Sequence, residues 1–321
     1  MMRNKCTTVG KQKIAETIKT HLDNQKYHYA YYDELNMFSL EMGIGGRIPS
    51  FNLKISVYED KFVVWADVPL IVNDEEKGKV CEYLQRYWRR NFGFGNNQVR
   101  YSRCVFCGDI IPEDKVISQS ISSACMDVEE ISGGIIDILY NNATPEETGQ
   151  KPHISEPSHN ALNTIGLEGE YNLEETSFNN IDAVDNRLKK FLDNHGWKYT
   201  VEHDENLGNI YYTSFDFGNK AGSFEAKILP NDGAYTISVE LPKKADKTDG
   251  VAKQLCEINY NSDCKFKLYY VSNRINCQLN VSVGSYTDFS DDFISDTFNC
   301  LFDTVERYED KIDEIAICRS K

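Results

Sequence analysis

Residues 50–57 read SFNLKISV, and residues 223–228 read SFEAKI. In the first stretch every second residue is apolar, which is the pattern of a β-strand with one buried face. The second stretch keeps the Ser-Phe start and the Lys-Ile pair at the same spacing. One strand thus occurs twice in the chain, which predicts a larger internal repeat around it.

The repeat extends in both directions from this strand. Short matches follow one another in the same order in both halves: Leu-Asp-Asn at 22–24 and 192–194, a hydrophobic-proline pair at 68–69 and 241–242, Cys-Glu at 81–82 and 256–257, and Ile-Asp at 136–137 and 312–313. Chance does not preserve that order. The sequence predicts one module in two copies, at residues 11–142 and 181–317.

Each copy predicts the same order of elements. An amphipathic helix comes first, with Ile14, Ile18 and Leu22 at helical spacing in copy one. A meander of antiparallel strands follows and is expected to end at Pro69 or Pro242, because proline cannot donate to a strand ladder. A middle helix near 74–90 or 247–260, a hairpin and a long final helix complete the module. The predicted fold class is α+β: two tandem copies of a helix, meander, helix, hairpin, helix module.

The sequence also predicts the N-caps of the two final helices and the nature of the segment between the copies. Ser290 followed by two aspartates is typical of a helix N-cap, and residues 112–114, Pro-Glu-Asp, are expected to serve the same purpose in copy one. Residues 143–180 hold three prolines and one basic residue against seven acidic ones, without a period of 2 or 3.6. We expect an acidic polar linker there.

Composition narrows the class of protein. The 321 residues carry a net charge of −15, and 40% are hydrophobic, which suits a folded and acidic protein of two domains. Acidic charge argues against binding a phosphate backbone. The N-terminal residues are polar and no run of about 18 apolar residues occurs, so we expect a cytoplasmic protein without a membrane partner. The ten cysteines show no disulfide framework and are expected to be reduced.

This order of elements resembles the YbjN family of bacterial proteins, which are similar in fold to type III secretion chaperones. The resemblance covers both copies and excludes the linker, and it rests on apolar and turn residues. It implies a sensory-transduction regulator or a chaperone-like binding module, with no catalytic residue to carry over. Because such chaperones pair two modules as a homodimer, the resemblance implies an internal pseudo-dimer, in a chain that is itself a monomer or a homodimer.

One cluster in copy one combines basic and aromatic residues and is the candidate partner-binding site: Arg86, Trp88, Arg89, Arg90, Arg100, Tyr101 and Arg103. Such a cluster could stack on and neutralise single-stranded nucleic acid. Alternatively, these arginines form a solvated helix face that pairs with Glu82 or with acidic groups of copy two. The second interpretation is favoured, because copy two has Asn259, Asn261 and Asp263 at this place.

Other candidates for chemistry have simpler explanations. Cys104 and Cys107 have C-x-x-C spacing, but on a strand such residues point to opposite faces. His153, Glu156 and His159 lie in the linker, without fixed geometry. The remaining candidates are the glycine-rich stretch 43–46, expected to be a turn, and the acidic pairs 129–130 and 291–292, expected to be solvated or capping. No cofactor, metal site or catalytic residue is predicted.

The sequence thus favours a non-enzymatic protein that binds an unidentified protein or peptide, by strand addition or helix docking. Two alternatives remain open. One is a small-ligand-binding regulator or an enzyme whose site lies between the modules. The other is single-stranded nucleic-acid binding through the Arg-aromatic cluster.

Overall fold

The computed structural model describes most of both copies. The ranges described are 10–44, 46–87, 90–148, 177–216, 223–244, 249–261, 266–271 and 273–317. Most of the expected linker, the glycine at position 45, and Trp88 and Arg89 of the candidate site lie outside these ranges.

Copy one is built around a six-stranded antiparallel sheet of order β1-β2-β3-β4-β6-β5. Its elements are α1 (Lys11–Asn24), β1 (Tyr29–Tyr32), β2 (Met37–Gly43), β3 (Ser50–Val57), β4 (Lys61–Asp67), α2 (Lys77–Gln85), β5 (Asn91–Gly95), β6 (Gln98–Phe106) and α3 (Asp114–Asn141). A short helix, α4 (Pro145–Thr148), follows.

Copy two repeats this architecture with a sheet of order β7-β8-β9-β10-β12-β11. Its elements are α5 (Ile181–Asn194), β7 (Tyr199–Asp204), β8 (Gly208–Asp216), β9 (Ser223–Asn231), β10 (Ala234–Lys244), α6 (Asp249–Asn261), β11 (Lys267–Val271), β12 (Arg274–Ser282) and α7 (Asp291–Ile317). The α+β class and the two similar modules predicted from the sequence are therefore confirmed.

Each core lies between one face of a sheet and the helices that cover it. In β3 the alternating residues Phe51, Leu53, Ile55 and Val57 are buried, as the period of two predicts. In α1 the buried side chains include Ile14, Ile18 and Leu22 at helical spacing. The final helix of each copy packs across the hairpin strand β6 or β12 and the last meander strand. Sequence periodicity thus identified both faces of the core.

The repeated Leu-Asp-Asn motif links the first helix of each copy to the outermost strand. Leu22 and Leu192 are fully buried at the ends of α1 and α5. The hydroxyl group of Tyr29 donates to Asp23 at 2.7 Å, and that of Tyr199 donates to Asp193 at the same distance. Burial and the Asp23 carboxylate raise the pKa of Tyr29 to about 12. The motif is therefore structural in both copies.

Two boundary predictions from the sequence are wrong. β10 continues through Pro242 to Lys244, with an irregular register against β12 between Glu240 and Lys244, so a bulge accommodates the proline. The middle helix of copy one is also shorter than expected: α2 spans Lys77–Gln85, whereas the sequence predicts a helix near 74–90. In contrast, β4 ends at Asp67, before Pro69, as predicted.

The caps of the two final helices differ. Ser290 Oγ accepts a hydrogen bond from the Phe293 amide at 3.0 Å, so the predicted N-cap of α7 is confirmed. Glu113 occupies the N-cap position of α3 without a capping hydrogen bond from its side chain. Its carboxylate instead accepts hydrogen bonds from Ser285 of copy two, from the amide at 3.3 Å and from the hydroxyl group at 2.5 Å. The predicted cap serves as a contact between the copies.

The contacts between the copies include a reciprocal pair at the ends of the hairpin strands. A Cβ atom on Gly108 would lie 2.7 Å from the Phe293 ring, and one on Gly284 would lie 2.7 Å from Val116. Gly108 and Gly284 are equivalent in the repeat, and each packs against the start of the other copy's final helix. This reciprocity is compatible with a pseudo-dimer, in which related residues make related contacts.

Within the ranges described above, no helix is long and apolar enough to cross a bilayer.

Candidate functional site

Each described arginine of the candidate site is close to a polar or acidic group of copy one or of the short helix α4 that follows it. Arg86 follows α2, and its Nη2 lies 2.9 Å from Glu146 of α4. Arg103 of β6 donates to Ser123 of α3 at 2.8 Å. Because α3 crosses β6 and α4 follows α3, these elements bring polar groups to the arginines. Glu146 was not among the partners expected for Arg86 from the sequence, which were Glu82 and acidic groups of copy two.

Arg90 and Tyr101 lie beside a largely buried carboxylate on α3, that of Asp127. Arg90 Nε lies 2.9 Å from Asp127, and Arg90 also pairs with Glu130 one turn further along α3. Burial raises the pKa of Asp127 to about 6, although Arg90 and Arg103 oppose this shift. Tyr101 is buried beside Asp127, and burial raises the pKa of its phenol. These residues therefore connect β6 and the segment just before β5 to α3.

Arg100 joins the two copies. Its guanidinium group donates to both carboxylate oxygens of Asp67, at 2.7 and 3.2 Å, and to the hydroxyl group of Tyr260 on α6 at 3.0 Å. The same group lies 4.7 Å from the Trp65 ring and 4.1 Å from the Tyr260 ring. A cation held between two aromatic faces and a bidentate carboxylate is well ordered. Arg100 thus connects β4 and β6 of copy one to α6 of copy two, and we call these contacts the Arg100 clasp.

Two glycines of β5 make room for that helix. A Cβ atom on Gly93 would lie 2.2 Å from the backbone nitrogen of Tyr260, and one on Gly95 would lie 2.5 Å from the Tyr260 ring. Copy two has Tyr269 and Val271 at the equivalent positions of β11. Only copy one can therefore receive a helix this closely. The sequence signal was available, since glycine inside a strand often marks a close backbone approach.

Asn259 of α6 bridges the two inner edge strands. Its amide nitrogen donates to the carbonyl oxygen of Phe92 in β5 at 3.4 Å and to that of Leu268 in β11 at 2.8 Å. Its amide oxygen accepts from the Leu268 amide at 2.8 Å. Asn259 is only 2% exposed. One side chain thus supplies partners to backbone groups of strands in both copies.

A buried lysine completes the contact. Lys267 of β11 donates to the carbonyl oxygens of Tyr87 and Arg90, which follow the C-terminus of α2. Burial lowers the pKa of Lys267 to about 7. Lys77 of α2 adds an ion pair with Glu257 of α6 at 2.8 Å. Copy one has Asn91 where copy two has Lys267, so this interaction is also asymmetric.

The remaining candidates for chemistry do not converge. Cys107 is buried and Cys104 is partly exposed, in agreement with their expected divergence along β6. Asp291 at the start of α7 pairs with Arg187 at 2.6 Å, which is a capping and packing role. Within the described residues, no group of three or more His, Cys, Asp and Glu side chains is placed to hold a metal ion. His153, Glu156 and His159 lie outside these residues.

A small pocket lies between the copies. It is lined by Phe106, Ile110, Pro112 and Val116 of copy one and by Ser282 and Val283 of copy two. It encloses only about 10 Å³, which is about the space that one water molecule needs. It is therefore too small for an organic ligand. Its one carboxylate, Glu113, already binds Ser285.

The outer edges of the two sheets differ from each other in charge. β1 and β7 each pair with one strand only among the described residues. β1 reads Tyr-Ala-Tyr-Tyr and carries no charged residue, whereas β7 contains Glu202, His203 and Asp204. Tyr31 and Tyr32 of β1 are 37% and 49% exposed, and Leu35 beyond them is 65% exposed. This edge was not singled out from the sequence, although its lack of charge is visible there.

Comparison with known proteins gives no relative: no family model matches the chain, and no curated protein matches it.

Proposed function

We propose that this protein is a binding module without catalytic activity of its own, in which two docked copies present the β1 edge to an extended segment of another protein. The observation that carries the proposal is the uncharged and exposed edge of β1. The resemblance to chaperone-like YbjN proteins points in the same direction and stays a prediction.

The physical argument begins with the backbone of an edge strand. An edge strand presents unpaired N–H and C=O groups, which a second strand can satisfy. Folded proteins usually protect such edges with charged residues, as Glu202, His203 and Asp204 do on β7. β1 lacks this protection and adds two exposed tyrosines, which provide apolar surface and hydroxyl groups for a partner. Strand addition is therefore the binding mode that we propose for β1.

The way the copies contact each other supports the choice of β1. At the inner edges, Asn259 bonds to backbone groups of both β5 and β11. We propose that these contacts, with the Arg100 clasp and the reciprocal glycine contacts, hold the copies as an internal pseudo-dimer. Among the described strands, β1 and β7 are the edges of the two sheets opposite to β5 and β11, and of these two only β1 contains no charged residue.

The chemistry of the partner follows from charge. The chain carries a net charge of −15, so an acidic segment would be repelled over the range of the Debye length. We therefore propose an extended segment that is neutral or basic and that places apolar or aromatic side chains beside Tyr31 and Tyr32.

The nucleic-acid alternative is weakened by the contacts of the Arg-aromatic cluster. Arg90 and Arg100 each form an ion pair with a carboxylate of copy one, and Arg86 pairs with Glu146 of the short helix α4 that follows it. A phosphate backbone would have to displace these carboxylates.

A peptide selection tests the proposal. A library of extended peptides would be selected on the wild-type protein, and the β1 amides of the complex would be followed by hydrogen exchange. We expect the selected peptides to slow exchange at residues 29–32. The Tyr32→Glu variant should bind at least about tenfold more weakly, since a charge would be buried beside the added strand. Copy two already carries glutamate at the equivalent position 202, so the fold tolerates this change.

Val201→Glu is the matched control, because it adds the same charge to β7 at a side chain that is 46% exposed. It should leave peptide binding unchanged. Equal binding by wild-type protein and the Tyr32→Glu variant, or slowed exchange elsewhere than β1, would refute the proposal. Sedimentation of the protein alone gives a further test: a dimer that the Tyr32→Glu substitution dissociates would assign the edge to self-association instead.

A further inference from the structure

The two cysteines of the repeated Cys-Glu motif meet at the contact between the copies. Cys81 lies in the middle of α2 and Cys256 in the middle of α6, and neither side chain is exposed. The Cys256 thiol donates a hydrogen bond to the carbonyl oxygen of Cys81 at 3.7 Å, so the Cys256 sulfur lies against the Cys81 backbone. Equivalent residues of two related copies contact each other where a pseudo-two-fold axis passes between them.

The polar groups around the pair act mainly on Cys256. Gln85 Nε2 donates to Cys256 Sγ at 3.3 Å, and the Cys256 thiol donates to the Cys81 carbonyl oxygen. The neighbouring Cys81 thiol, the Gln85 hydrogen bond and the positive charge of Lys267 lower the pKa of Cys256, whereas the Cys256 thiol and burial raise the pKa of Cys81. A thiol with a lowered pKa is the better nucleophile of a pair. The environment therefore distinguishes an attacking sulfur from a resolving one.

We propose that Cys81 and Cys256 are a reversible oxidation site at which a peroxide converts the two thiols into a disulfide between the copies. The packing of α2 against α6 places the Cys256 sulfur 3.7 Å from the Cys81 backbone before any reaction. A disulfide needs such close approach, with Cα atoms about 4.4–6.8 Å apart. The inference is independent of the function proposed for β1.

The reaction balances in two steps. The Cys256 thiolate attacks one oxygen of hydrogen peroxide, the O–O bond breaks, and the hydroxide leaves as water after protonation, so Cys256 becomes a sulfenic acid. Cys81 then attacks the Cys256 sulfur, the S–O bond breaks, and a second water leaves with the Cys81 proton. Two thiols lose two electrons in total, and one peroxide accepts them. A dithiol reductant reverses the change by thiol–disulfide exchange.

The disulfide would link α2 covalently to α6, which is far from it in the sequence. It closes a loop that runs from residue 81 to residue 256 and includes the linker. A link across so long a loop restricts the unfolded chain strongly, so the oxidised protein should melt higher by roughly 5–10 °C. Because both side chains are buried, peroxide has to reach them during a local opening of the helix contact.

Peptide mapping of the full chain tests the site. The folded protein is treated with hydrogen peroxide, remaining thiols are alkylated, and the unreduced peptides are identified by mass spectrometry. We expect the main crosslink to join the peptides that contain Cys81 and Cys256, and a dithiol should remove it. The Cys81→Ser variant should accumulate a sulfenic acid on Cys256, which a dimedone probe captures. The Cys256→Ser variant should give far less of that product on Cys81.

Cys277→Ala is the matched control, because Cys277 is equally buried but lies in β12 of copy two. It should form the crosslink as the wild type does. Mapping of the wild type needs no variant, so a substitution that prevents folding leaves the test intact. If neither peroxide nor diamide links Cys81 to Cys256 in the folded protein, or if the link forms only in denaturant, the inference is wrong.

Discussion

Replacing Gly93 with alanine is the sharpest perturbation of the contact between the copies. The new Cβ atom would lie 2.2 Å from the Tyr260 backbone nitrogen and 2.5 Å from its Cα atom. Nonbonded atoms of this kind need about 3.5 Å, so α6 would have to move by roughly 1 Å. A side chain could rotate away from such a clash, but the backbone of a helix cannot.

The expected loss of stability follows from this geometry. Overpacking in a well-packed region costs about 1–3 kcal/mol. The shift of α6 also disturbs the Arg100 clasp and the Asn259 hydrogen bonds, whereas alanine gains about 0.5–1 kcal/mol over glycine in a strand. The net destabilisation should be about 2–3 kcal/mol, or roughly 4–12 °C in Tm.

Urea denaturation followed by circular dichroism measures this loss, and hydrogen exchange locates it. Exchange should become faster in residues 249–261, which form α6.

Two control substitutions bracket the result. A Cβ atom on Gly133 of α3 meets nothing within 4 Å, so the Gly133→Ala variant should be about 0.5–1 kcal/mol more stable than wild type. A Cβ atom on Gly134 would lie 2.2 Å from the Tyr83 hydroxyl group, within copy one. The Gly134→Ala variant should therefore be less stable without faster exchange in α6. A Gly93→Ala variant as stable as wild type would refute the packing argument.

Four further predictions concern single contacts, each measured by urea denaturation. Arg100→Lys keeps the charge but loses the bidentate pairing with Asp67, and should cost about 1–2 kcal/mol; no loss would mean that the clasp is not formed in solution. Asn259→Ala leaves backbone groups of Phe92 and Leu268 buried without this partner, and should cost about 2–4 kcal/mol; a smaller cost than for Asn261→Ala, an exposed neighbour, would contradict the bridge. The pKa of Lys267 is about 7 in the folded protein and ordinarily 10.5, so between these pH values the unfolded chain binds more protons than the folded one. The free energy of unfolding should therefore rise with pH across this range. The Lys267→Met variant should lack that rise; if it keeps the same pH dependence, other groups cause the rise. Tyr29→Phe and Tyr199→Phe each remove a 2.7 Å hydrogen bond to the repeated aspartate and should cost similar amounts, about 0.5–1.5 kcal/mol; a clear inequality would show that the motif acts differently in the two copies.

The sequence predicted what is decided locally. The alternation in residues 50–57, the helical spacing of Ile14, Ile18 and Leu22, and the Ser290 cap depend on neighbours within a few positions. Such patterns are expressed directly in backbone geometry. Because they recur in order, they also revealed the second module.

What the sequence could not predict depends on pairs of residues that are far apart in the chain. Arg100 and Tyr260 are separated by 160 positions, and Gly93 meets the same tyrosine. The acidic partner of Arg90 depends on how α3 crosses the sheet. The sequence offered Glu82 or acidic groups of copy two, whereas Arg90 pairs with Asp127 of α3. Pro242 was taken as a strand end because proline cannot donate, yet the irregular register of β10 absorbs it.

The comparison of the copies was still informative. Features present in both copies, such as Leu-Asp-Asn, proved structural. Features confined to one copy mark the asymmetric contacts: Gly93 and Gly95 of β5, the Arg100 clasp and Lys267 of β11. The Arg-aromatic cluster occurs in copy one only, and its described arginines make contacts within the molecule.

The most direct test of the account is to cut the chain between its copies. A protease site would be inserted between residues 149 and 176, the folded protein cleaved, and the fragments followed by size-exclusion chromatography with light scattering. If the copies dock as an internal pseudo-dimer, the fragments should elute together as a one-to-one complex, and Gly93→Ala should weaken it. Two folded fragments that elute separately as monomers would contradict it.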